Sequence, residues 1–369
     1  GSLARGKRSM MDSGTRIPLV IRFGRHWEKF APGQAGSTME RMVSFVDFGP
    51  TVLSLGGAEI PEPMEGQAFL GSRNHAPRDY VLLYRGRMDE RYDEIRGIRT
   101  RRYLYVRNYD PHLPYGQHYS YAYNSRITPA WERAFEAGTC NEVQSIYWKP
   151  KPPVEFYDAR EDPHMVRNLA EDPEYAELVE DHRKRLELEM ETVSDSAYIP
   201  ESMYPALAGD GTLADFLGSR SYRERFPRLK QVAEAAASRD LNKLPILINA
   251  LKSDDPLLRY WGAKGCLIRS ERVGVAEQFL VRVLDDENAA VRVTAAHALG
   301  KLGRTEPALR VLGKEIQSNN DYEVLIALHA LEDFPKAWKR FARRLQEIAE
   351  NGKGRNASRV AAWMLKQMK

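Results

Sequence analysis

A segment that recurs along the C-terminal part of the chain constrains the fold most strongly. Its three copies are residues 255–266, 288–299 and 322–331. Aligning Ala263, Ala296 and Leu328 gives periods of 33 and 32 residues. Each copy joins a short turn rich in Asp or Asn to apolar residues at helical spacing, with alanine where helices approach closely. The sequence therefore predicts stacked helical units that contact mainly their neighbours along the chain.

These units resemble short HEAT-like repeats, and we assign residues 229–369 to an all-α repeat domain. The alignment puts Lys264, His297 and His329 at equivalent positions, as a polar column on one helical face. We favour a solvated ridge, because stacked repeats need one polar face, and a ridge that binds a protein partner is the alternative. Residues 200–228 contain Pro, Gly and Ser and are predicted to be a linker.

A charged loop and an apolar run lie near the N-terminus. Lys7 and Arg8 precede Asp12-Ser13-Gly14, which is typical of a tight turn in which Gly14 takes a positive φ. Residues 17–23 form a short apolar run, as expected for a strand covered on both faces. The sequence therefore predicts a charged turn that leads into a buried strand.

This N-terminal segment resembles sulfatases of the heparan N-sulfatase-like group. Their pattern R-G-K-x-x-x-x-D-S-G-x-R-V-P-L is similar to residues 5–19. Ordered similarities continue at Val43–Leu53, Arg87–Glu90 and Phe156–Asp158, which makes the resemblance more specific than one short motif. It implies an alkaline-phosphatase-like α/β fold and hydrolysis of sulfate esters or sulfamates. A sulfated carbohydrate or other anionic substrate and a periplasmic or extracellular location are implied as well.

The resemblance assigns a catalytic role to Lys7, because the matching lysine of those sulfatases contacts the sulfate being transferred. Their nucleophile is a formylglycine made from the Cys or Ser of a C/S-x-P-x-R pattern. Neither Cys140 nor Cys266 fits this pattern, and no serine does. The family's Asp-Asp metal pair and Asp-His/Asn-Gly segment are missing too. We therefore expect the C-terminal part of a sulfatase, inactive alone, with its formylglycine and Ca²⁺ ligands outside this chain.

The expected architecture has two parts before the repeats. Residues 1–75 would form the C-terminal end of the catalytic α/β domain, at the edge of its large sheet. Residues 76–199 would form a smaller α+β subdomain with an antiparallel sheet and one helix, Pro173–Thr192, capped by Asp172. The four predicted strands are Tyr80–Arg85, Ile95–Thr100, Tyr103–Tyr109 and Phe156-Tyr157.

A dense group of charges lies at the predicted hairpin between the first two of these strands. Arg87 and Arg91 offer planar forks for a sulfate or carboxylate of a sugar chain, and Asp89 and Glu90 could bind its hydroxyls. The alternative interpretation is structural, because hairpin tips are polar where they meet water. These four residues are the predicted substrate-binding set.

The loop Asp110–Tyr123 is rich in aromatic residues and contains His112 and His118. Its rings could form a stacking wall for sugars or close an edge of the core, and we favour the core edge. The two histidines lack the spacing and the cysteine partners of a zinc site, so no metal ligand is assigned in this chain.

Charge and hydropathy limit the remaining function classes. Residues 1–110 carry 18 Lys and Arg against 13 Asp and Glu, so the rest of the chain totals −1 of the overall +4. This basic excess suits an anionic substrate, although ordinary solvated surface explains it equally well. The arginines form no compact basic run, so we expect no nucleic-acid partner. No apolar stretch approaches the ~18 residues of a membrane span.

Two classes of function therefore remain from the sequence alone. The first is a sulfatase, of which this chain is one part. The second is a non-catalytic binding module built on the helical repeats. A C/S-x-P-x-R pattern upstream in the complete gene would decide for the enzyme.

Overall fold

The computed structural model describes residues 8–351 and 355–368. The chain divides into two compact units. The first unit comprises Gly1–Tyr84, Arg96–Val106 and Glu155–Leu186. The second unit comprises Arg85–Ile95, Arg107–Val154 and Glu187–Lys369. The domain boundaries predicted from the sequence stay predictions.

The regular structure of the described residues is mainly helical. The α-helices are α1 (Asp12–Thr15), α2 (Phe48–Leu55), α3 (Ser120–Tyr123), α4 (Ile127–Glu136), α5 (Glu142–Ser145), α6 (Ala176–Thr192), α7 (Tyr204–Ala208), α8 (Leu213–Leu217), α9 (Arg220–Ala237), α10 (Leu244–Ala250), α11 (Pro256–Arg269), α12 (Glu277–Arg282), α13 (Ala289–Lys301), α14 (Thr305–Glu315), α15 (Asp321–Glu332), α16 (Ala342–Asn351) and α17 (Arg355–Gln367). Every described helix is too short or too polar to cross a membrane.

The strands form one four-stranded antiparallel sheet in sequence order. They are β1 (Tyr80–Met88), β2 (Arg91–Thr100), β3 (Tyr103–Asn108) and β4 (Val154–Asp158). Two-residue turns join β1 to β2 and β2 to β3, a connection that only antiparallel strands allow. At the first turn, Asp89 takes a φ of +51°, a conformation that Asp adopts more readily than most residues. The predicted small sheet is confirmed, and its first hairpin is longer than predicted.

In the first unit, Asp47 fixes the start of helix α2. Its carboxylate accepts hydrogen bonds from the backbone N–H of Ser44 at 2.8 Å and of Gln67 at 2.9 Å. Arg78 also pairs with this carboxylate. The helix ends at Gly56-Gly57, where Gly57 adopts a φ of +72°. An Asp directly before a helix is expected to cap it, but this carboxylate accepts no N–H of α2. It closes instead the capping box of the 3-10 turn, Phe45–Asp47, in front of the helix.

Two predictions for the N-terminal segment are wrong. Residues 17–23 form no strand in the described chain, and Val20 is 91% exposed. An apolar run becomes a strand only where a neighbour supplies ladder hydrogen bonds, and no described strand pairs with this one. Gly14 lies within the single turn of α1 instead of taking a positive φ. Asp12 of that turn is held by Arg99, whose Nε and Nη2 donate at 2.8 Å each.

The helix predicted for residues 173–192 is confirmed. It opens with a 3-10 turn, Pro173–Tyr175, and continues as α6. The side chain of Asp172 accepts a hydrogen bond from the Glu174 N–H at 3.1 Å, as predicted for its cap. Of the apolar residues expected on its buried face, Leu186 and Met190 are buried, whereas Leu178 is 36% exposed.

The repeats of the second unit show a regular cap. Asp255, Asn288 and Asn320 precede α11, α13 and α15, and each side chain accepts a backbone N–H at 2.9 Å. These caps recur with the predicted periods because an Asp or Asn side chain satisfies an N–H that the first helical turn leaves free. The Asp- and Asn-rich turns of the sequence pattern are therefore helix N-termini.

A second recurring feature ties the start of a repeat to its end. Arg259 bonds Asp286 through Nε at 2.5 Å, and Arg292 bonds Glu315 through Nε at 2.8 Å. Both guanidinium groups also donate to carbonyl oxygens of the turn before their own helix. Each arginine therefore ties its helix start to an acidic residue further along the stack.

The region predicted as a linker contains helices. Residues 200–228 include α7, α8 and the first half of α9, so the predicted start of the repeats at residue 229 lies inside α9. Arg269 of α11 forms hydrogen bonds with the C-terminal end of α9. Its guanidinium donates to the carbonyl oxygens of Ala235 at 2.7 Å and Ala236 at 2.8 Å.

The polar column of the repeats does not form the solvated ridge that we favoured. Lys264 is 5% exposed, and its Nζ lies 2.9 Å from Asp110 Oδ1. The His297 side chain is 15% exposed and lies 2.7 Å from Asp333 Oδ2. His329 is only partly exposed. The column faces other charged groups of the second unit. Residues 85–95 and 107–154 also belong to this unit.

Replacing Arg269 tests its hydrogen bonds with the end of α9. Arg269→Met removes the guanidinium hydrogen bonds to the Ala235 and Ala236 carbonyls, and only Ala235 keeps a side-chain donor, the Ser238 hydroxyl. Hydrogen bonds that involve a charged group contribute about 1.5–3 kcal/mol each. We expect the free energy of unfolding to fall by at least about 3 kcal/mol, measured by urea denaturation with circular dichroism. Arg343→Met is the matched control, because the Arg343 side chain is 95% exposed. A loss as small as that of the control would contradict this role.

Candidate functional site

The predicted site residues fall into two groups. Lys7, the predicted catalytic residue, lies outside the described residues. Arg87, Asp89, Glu90 and Arg91 lie at the β1–β2 tip, within the second unit. The hairpin thus brings the four predicted substrate-binding residues together, and their role in binding a substrate stays a prediction.

Both arginines of the tip are already paired with carboxylates. Arg87 donates through Nε to Glu201 Oε1 at 3.0 Å and through Nη2 to the other oxygen of Glu201. Arg91 donates through Nη1 to Glu332 Oε2 at 2.7 Å and through Nε to the His118 carbonyl. Arg87 thus makes the fork-shaped, two-point contact with a carboxylate, whereas Arg91 divides its donors between a carboxylate and a backbone carbonyl.

The two acidic residues of the tip face cations and a hydroxyl. Glu90 is 2% exposed, and its Oε1 accepts hydrogen bonds from the N–H and hydroxyl of Ser120. Arg359 Nη1 lies 3.8 Å from Asp89 Oδ1 and 4.0 Å from Glu90 Oε2. Burial raises the pKa of Glu90, but the Ser120 hydrogen bonds and Arg359 outweigh it, so the pKa lies below its usual value. Glu90 is therefore held as the carboxylate.

A fully buried ion pair lies behind the tip. Lys151 Nζ is 2.9 Å from both carboxylate oxygens of Asp93, and both side chains are 0% exposed. Arg85 Nη1 lies 3.6 Å from the same carboxylate. Burial lowers the pKa of Lys151 despite the attraction of Asp93. Asp93 thus faces two cations while its side chain is shielded from solvent.

Asp110 forms a second buried pair, with Lys264 of α11. Burial raises the pKa of Asp110, but Lys264 and His112 outweigh it and the pKa is lowered. Lys264 also donates to the Tyr260 hydroxyl at 3.1 Å. Burial lowers the pKa of the neighbouring His112 to about 3, so this imidazole is neutral at ordinary pH.

The aromatic loop is divided between buried and exposed rings. The His118 ring lies between Tyr123 and Trp363, with centroid distances of 4.2 and 4.6 Å. Tyr119 is 9% exposed and closes the core, whereas Tyr121 is 52% exposed. The expected core edge holds for Tyr119 and His118, and Tyr121 is available to solvent.

This arrangement is suited to holding charges in place. Among residues 8–351 and 355–368, no group of three or more His, Cys, Asp or Glu side chains could hold a metal ion. The arginines and carboxylates of the tip meet opposite charges or donors at short range. The tip therefore has a fixed charge pattern of two guanidinium groups and two carboxylates, set by their partners.

Sequence reasoning missed these partners because they are distant in the chain. Lys151 lies 58 residues from Asp93, Lys264 lies 154 from Asp110, and Glu332 lies 241 from Arg91. The one available signal was Lys264, which the repeat alignment placed in a polar column together with His297 and His329.

The histidines make the second unit sensitive to acid. Burial lowers the pKa of His118 to about 4, with Arg91 and Lys366 adding to the effect and Glu90 opposing it. Since this folded pKa lies below the ordinary value of about 6.5, the unfolded chain binds more protons between these values. Protonation of His118 therefore does not reduce the free energy of unfolding above about pH 6.5, and it reduces it progressively as the pH falls from there towards 4.

We therefore expect the free energy of unfolding to fall between pH 7 and pH 5, and to fall less in His118→Phe. Phenylalanine keeps a ring between Tyr123 and Trp363 but cannot take up a proton. The raised pKa of buried Glu332 acts in the opposite sense in both proteins. Urea unfolding at the two pH values checks this, and equal pH dependence in both proteins would exclude His118 as a source.

Two family models match separate parts of the chain. Residues 5–116 match the model described as N-sulphoglucosamine sulphohydrolase, C-terminal. Residues 244–332 match the model described as HEAT repeats. The first match includes the hairpin tip, and the second includes α11, α13 and α15.

Curated relatives are sulfatases. An ulvan-active sulfatase of Formosa agariphila is 37% identical over 205 residues, which cover 55% of this chain and 33% of the relative. A second ulvan-active sulfatase of that organism is 29% identical, covering 47% and 33%. The human N-sulphoglucosamine sulphohydrolase is 23% identical, covering 49% and 38%. The matched segments thus span about a third of the length of these relatives.

A crystal structure of a putative sulfatase from Bacteroides thetaiotaomicron matches 41% of this chain and 25% of that protein, at 20% identity and a TM-score of 0.27. The resemblance predicted from the sequence is confirmed by the two family models alone, since residues 5–116 match the C-terminal part of the N-sulphoglucosamine sulphohydrolase family and residues 244–332 match HEAT repeats.

Proposed function

We propose that this chain is the C-terminal part of a sulfatase that hydrolyses sulfate esters or sulfamates of carbohydrates. The observation that carries the proposal is the family match over residues 5–116, extended by 37% identity to an ulvan-active sulfatase over 205 residues. Ulvan and N-sulphoglucosamine, named for the relatives, support a sulfated carbohydrate as the substrate class.

Lys7 is the proposed catalytic residue of this chain. It occupies the lysine position of the sulfatase pattern in residues 5–19. A compact ammonium close to the sulfate would stabilise the negative charge that grows on its oxygens as the bond breaks. Arg87, Asp89, Glu90 and Arg91 are proposed to border the pocket. The partly exposed Arg87 and Asp89 would contact the rest of the sugar, and the buried Glu90 and Arg91 would hold the tip in place.

The remaining chemistry is proposed to come from outside this chain. A formylglycine would supply the nucleophile, and neither Cys140 nor Cys266 stands in the C/S-x-P-x-R pattern that produces it. Ca²⁺ would neutralise sulfate oxygens, but the described residues offer no group of metal-ligating side chains. We therefore assign no residue of this chain to calcium and derive no step through it.

The chain alone is expected to lack sulfatase activity. Incubation of the purified chain with an aryl sulfate and Ca²⁺ should release no more phenol than a heat-killed sample. Turnover above that control would overturn the proposed division of the site. Sequencing the gene upstream of residue 1 is the companion test, because a C/S-x-P-x-R pattern there separates the enzyme from a binding module.

In the complete enzyme, Lys7→Ala should lower kcat by about 10²–10³, the usual loss when one preorganised donor is removed. Lys7→Arg should restore only part of the rate, because a broad fork does not replace a compact charge. Thermal melting should change little in either variant. If kcat/KM of the alanine variant stayed within about twofold of wild type, under ~0.5 kcal/mol, Lys7 would not belong to the site.

A further inference from the structure

The repeats meet the hairpin tip through side chains of two helices. On α15, the Tyr322 ring centroid lies 5.7 Å from the Arg87 guanidinium, and Glu332 accepts the 2.7 Å hydrogen bond from Arg91. On α17, Arg359 faces the two carboxylates of the tip. All of these residues belong to the second unit.

These side chains share one face of each helix. Tyr322, His329 and Glu332 are separated by seven and three residues on α15, and Arg359 and Trp363 are separated by four on α17. Such spacings place side chains on the same side of a helix. Among the described residues, we name this surface, formed by Tyr322, His329, Glu332, Arg359 and Trp363, the hairpin receptor.

The charges of the hairpin receptor complement those of the tip at each helix. The helix α15 presents a carboxylate to the arginines, and α17 presents a guanidinium to the acidic residues. Glu90 is 2% exposed and Arg91 is 5% exposed, so these interactions are little screened by water. Removing one partner of such a pair leaves the other charge buried without compensation.

Trp363 extends the same surface to the aromatic loop. Its ring stacks on His118 with an angle of 22° between the planes, and the His118 carbonyl accepts a hydrogen bond from Arg91. Trp363 therefore packs against His118, the residue whose carbonyl accepts the hydrogen bond from Arg91. The tip is fixed by contacts from α15, α17 and this loop together.

We propose that the HEAT-like repeats of this chain act as an internal positioning device, in which the hairpin receptor holds the β1–β2 tip in one conformation. The partner of this face is residues 85–95 of the same chain rather than a separate protein. Glu332 and Arg359 are the positioning residues. The consequence for substrate rests on the proposed function, since the partly exposed Arg87 and Asp89 would then be presented to the sugar in a fixed orientation.

Hydrogen exchange of backbone amides, followed by mass spectrometry on the whole chain, tests this without any enzymatic assay. In Glu332→Gln, amides of residues 85–95 should exchange about tenfold faster, because the tip opens more often when its charge pair is lost. Amides of β4 should keep their wild-type rates. Glu306→Gln is the matched control, since Glu306 pairs with Arg340 where both side chains are exposed.

A double-mutant comparison tests whether Glu332 acts on the tip through Arg91. If Glu332 acts through Arg91, the double variant Arg91→Met with Glu332→Gln should exchange like Arg91→Met alone. Additive effects, or hairpin exchange within twofold of wild type in Glu332→Gln, would overturn the proposal. Uniformly faster exchange across the second unit would overturn it too, because the contact would then serve general stability.

Arg359→Met provides an independent variant with the same expected local pattern, and Arg343→Met on the exposed face of α16 is its control. A missing sulfatase activity in the complete protein would contradict the proposed function but leave these exchange rates unaffected. The two proposals can therefore fail separately.

Discussion

Burial of charge is the constraint on which the second unit depends. Asp93 and Lys151 are both fully excluded from solvent, and desolvation of each ion costs several kcal/mol unless an opposite charge is in direct contact. Asp110 and Lys264 repeat this arrangement one strand away. Because an unpaired buried carboxylate is costly, each pair favours an arrangement in which the segment that carries its lysine lies against it. Charge pairing therefore selects the arrangement of this unit, while apolar contacts supply most of its stability.

The helical repeats join this charge pattern to a conventional core. The contacts at the starts of their helices are simple. An Asp or Asn side chain caps the helix start, and an arginine of the same helix pairs with an acidic residue further along the chain. Between the last helices, small and branched side chains such as Ala327, Leu328 and Ala361 are buried completely. The stack is thus rigid enough to present charged side chains at defined positions, which a flexible linker could not do.

Local signals predicted the fold better than the site. The cap at Asp172, the repeat period and the strands predicted at Tyr80–Arg85 and Ile95–Thr100 depend on neighbours within a few residues, and the structure contains them, with both strands longer than predicted. The column at Lys264 was placed correctly along its helix but given the wrong environment, because its partner lies 154 residues away. The strand predicted at residues 17–23 is wrong for a related reason. A strand forms only by pairing with a neighbour, and a single segment does not show whether that neighbour is present. The role of Lys7 comes from resemblance alone.

The burial of Cys266 makes the reactivity of its thiol a measure of local opening of the repeats. The thiol is 0% exposed on α11, and burial raises its pKa to about 12, so thiolate is scarce at neutral pH. Alkylating reagents attack the thiolate and must first reach it. Cys140, the other cysteine, is partly exposed and reacts without any opening of the repeats. The ratio of label at the two sulfurs therefore measures how often α11 separates from its neighbours, under conditions where the whole chain is still folded.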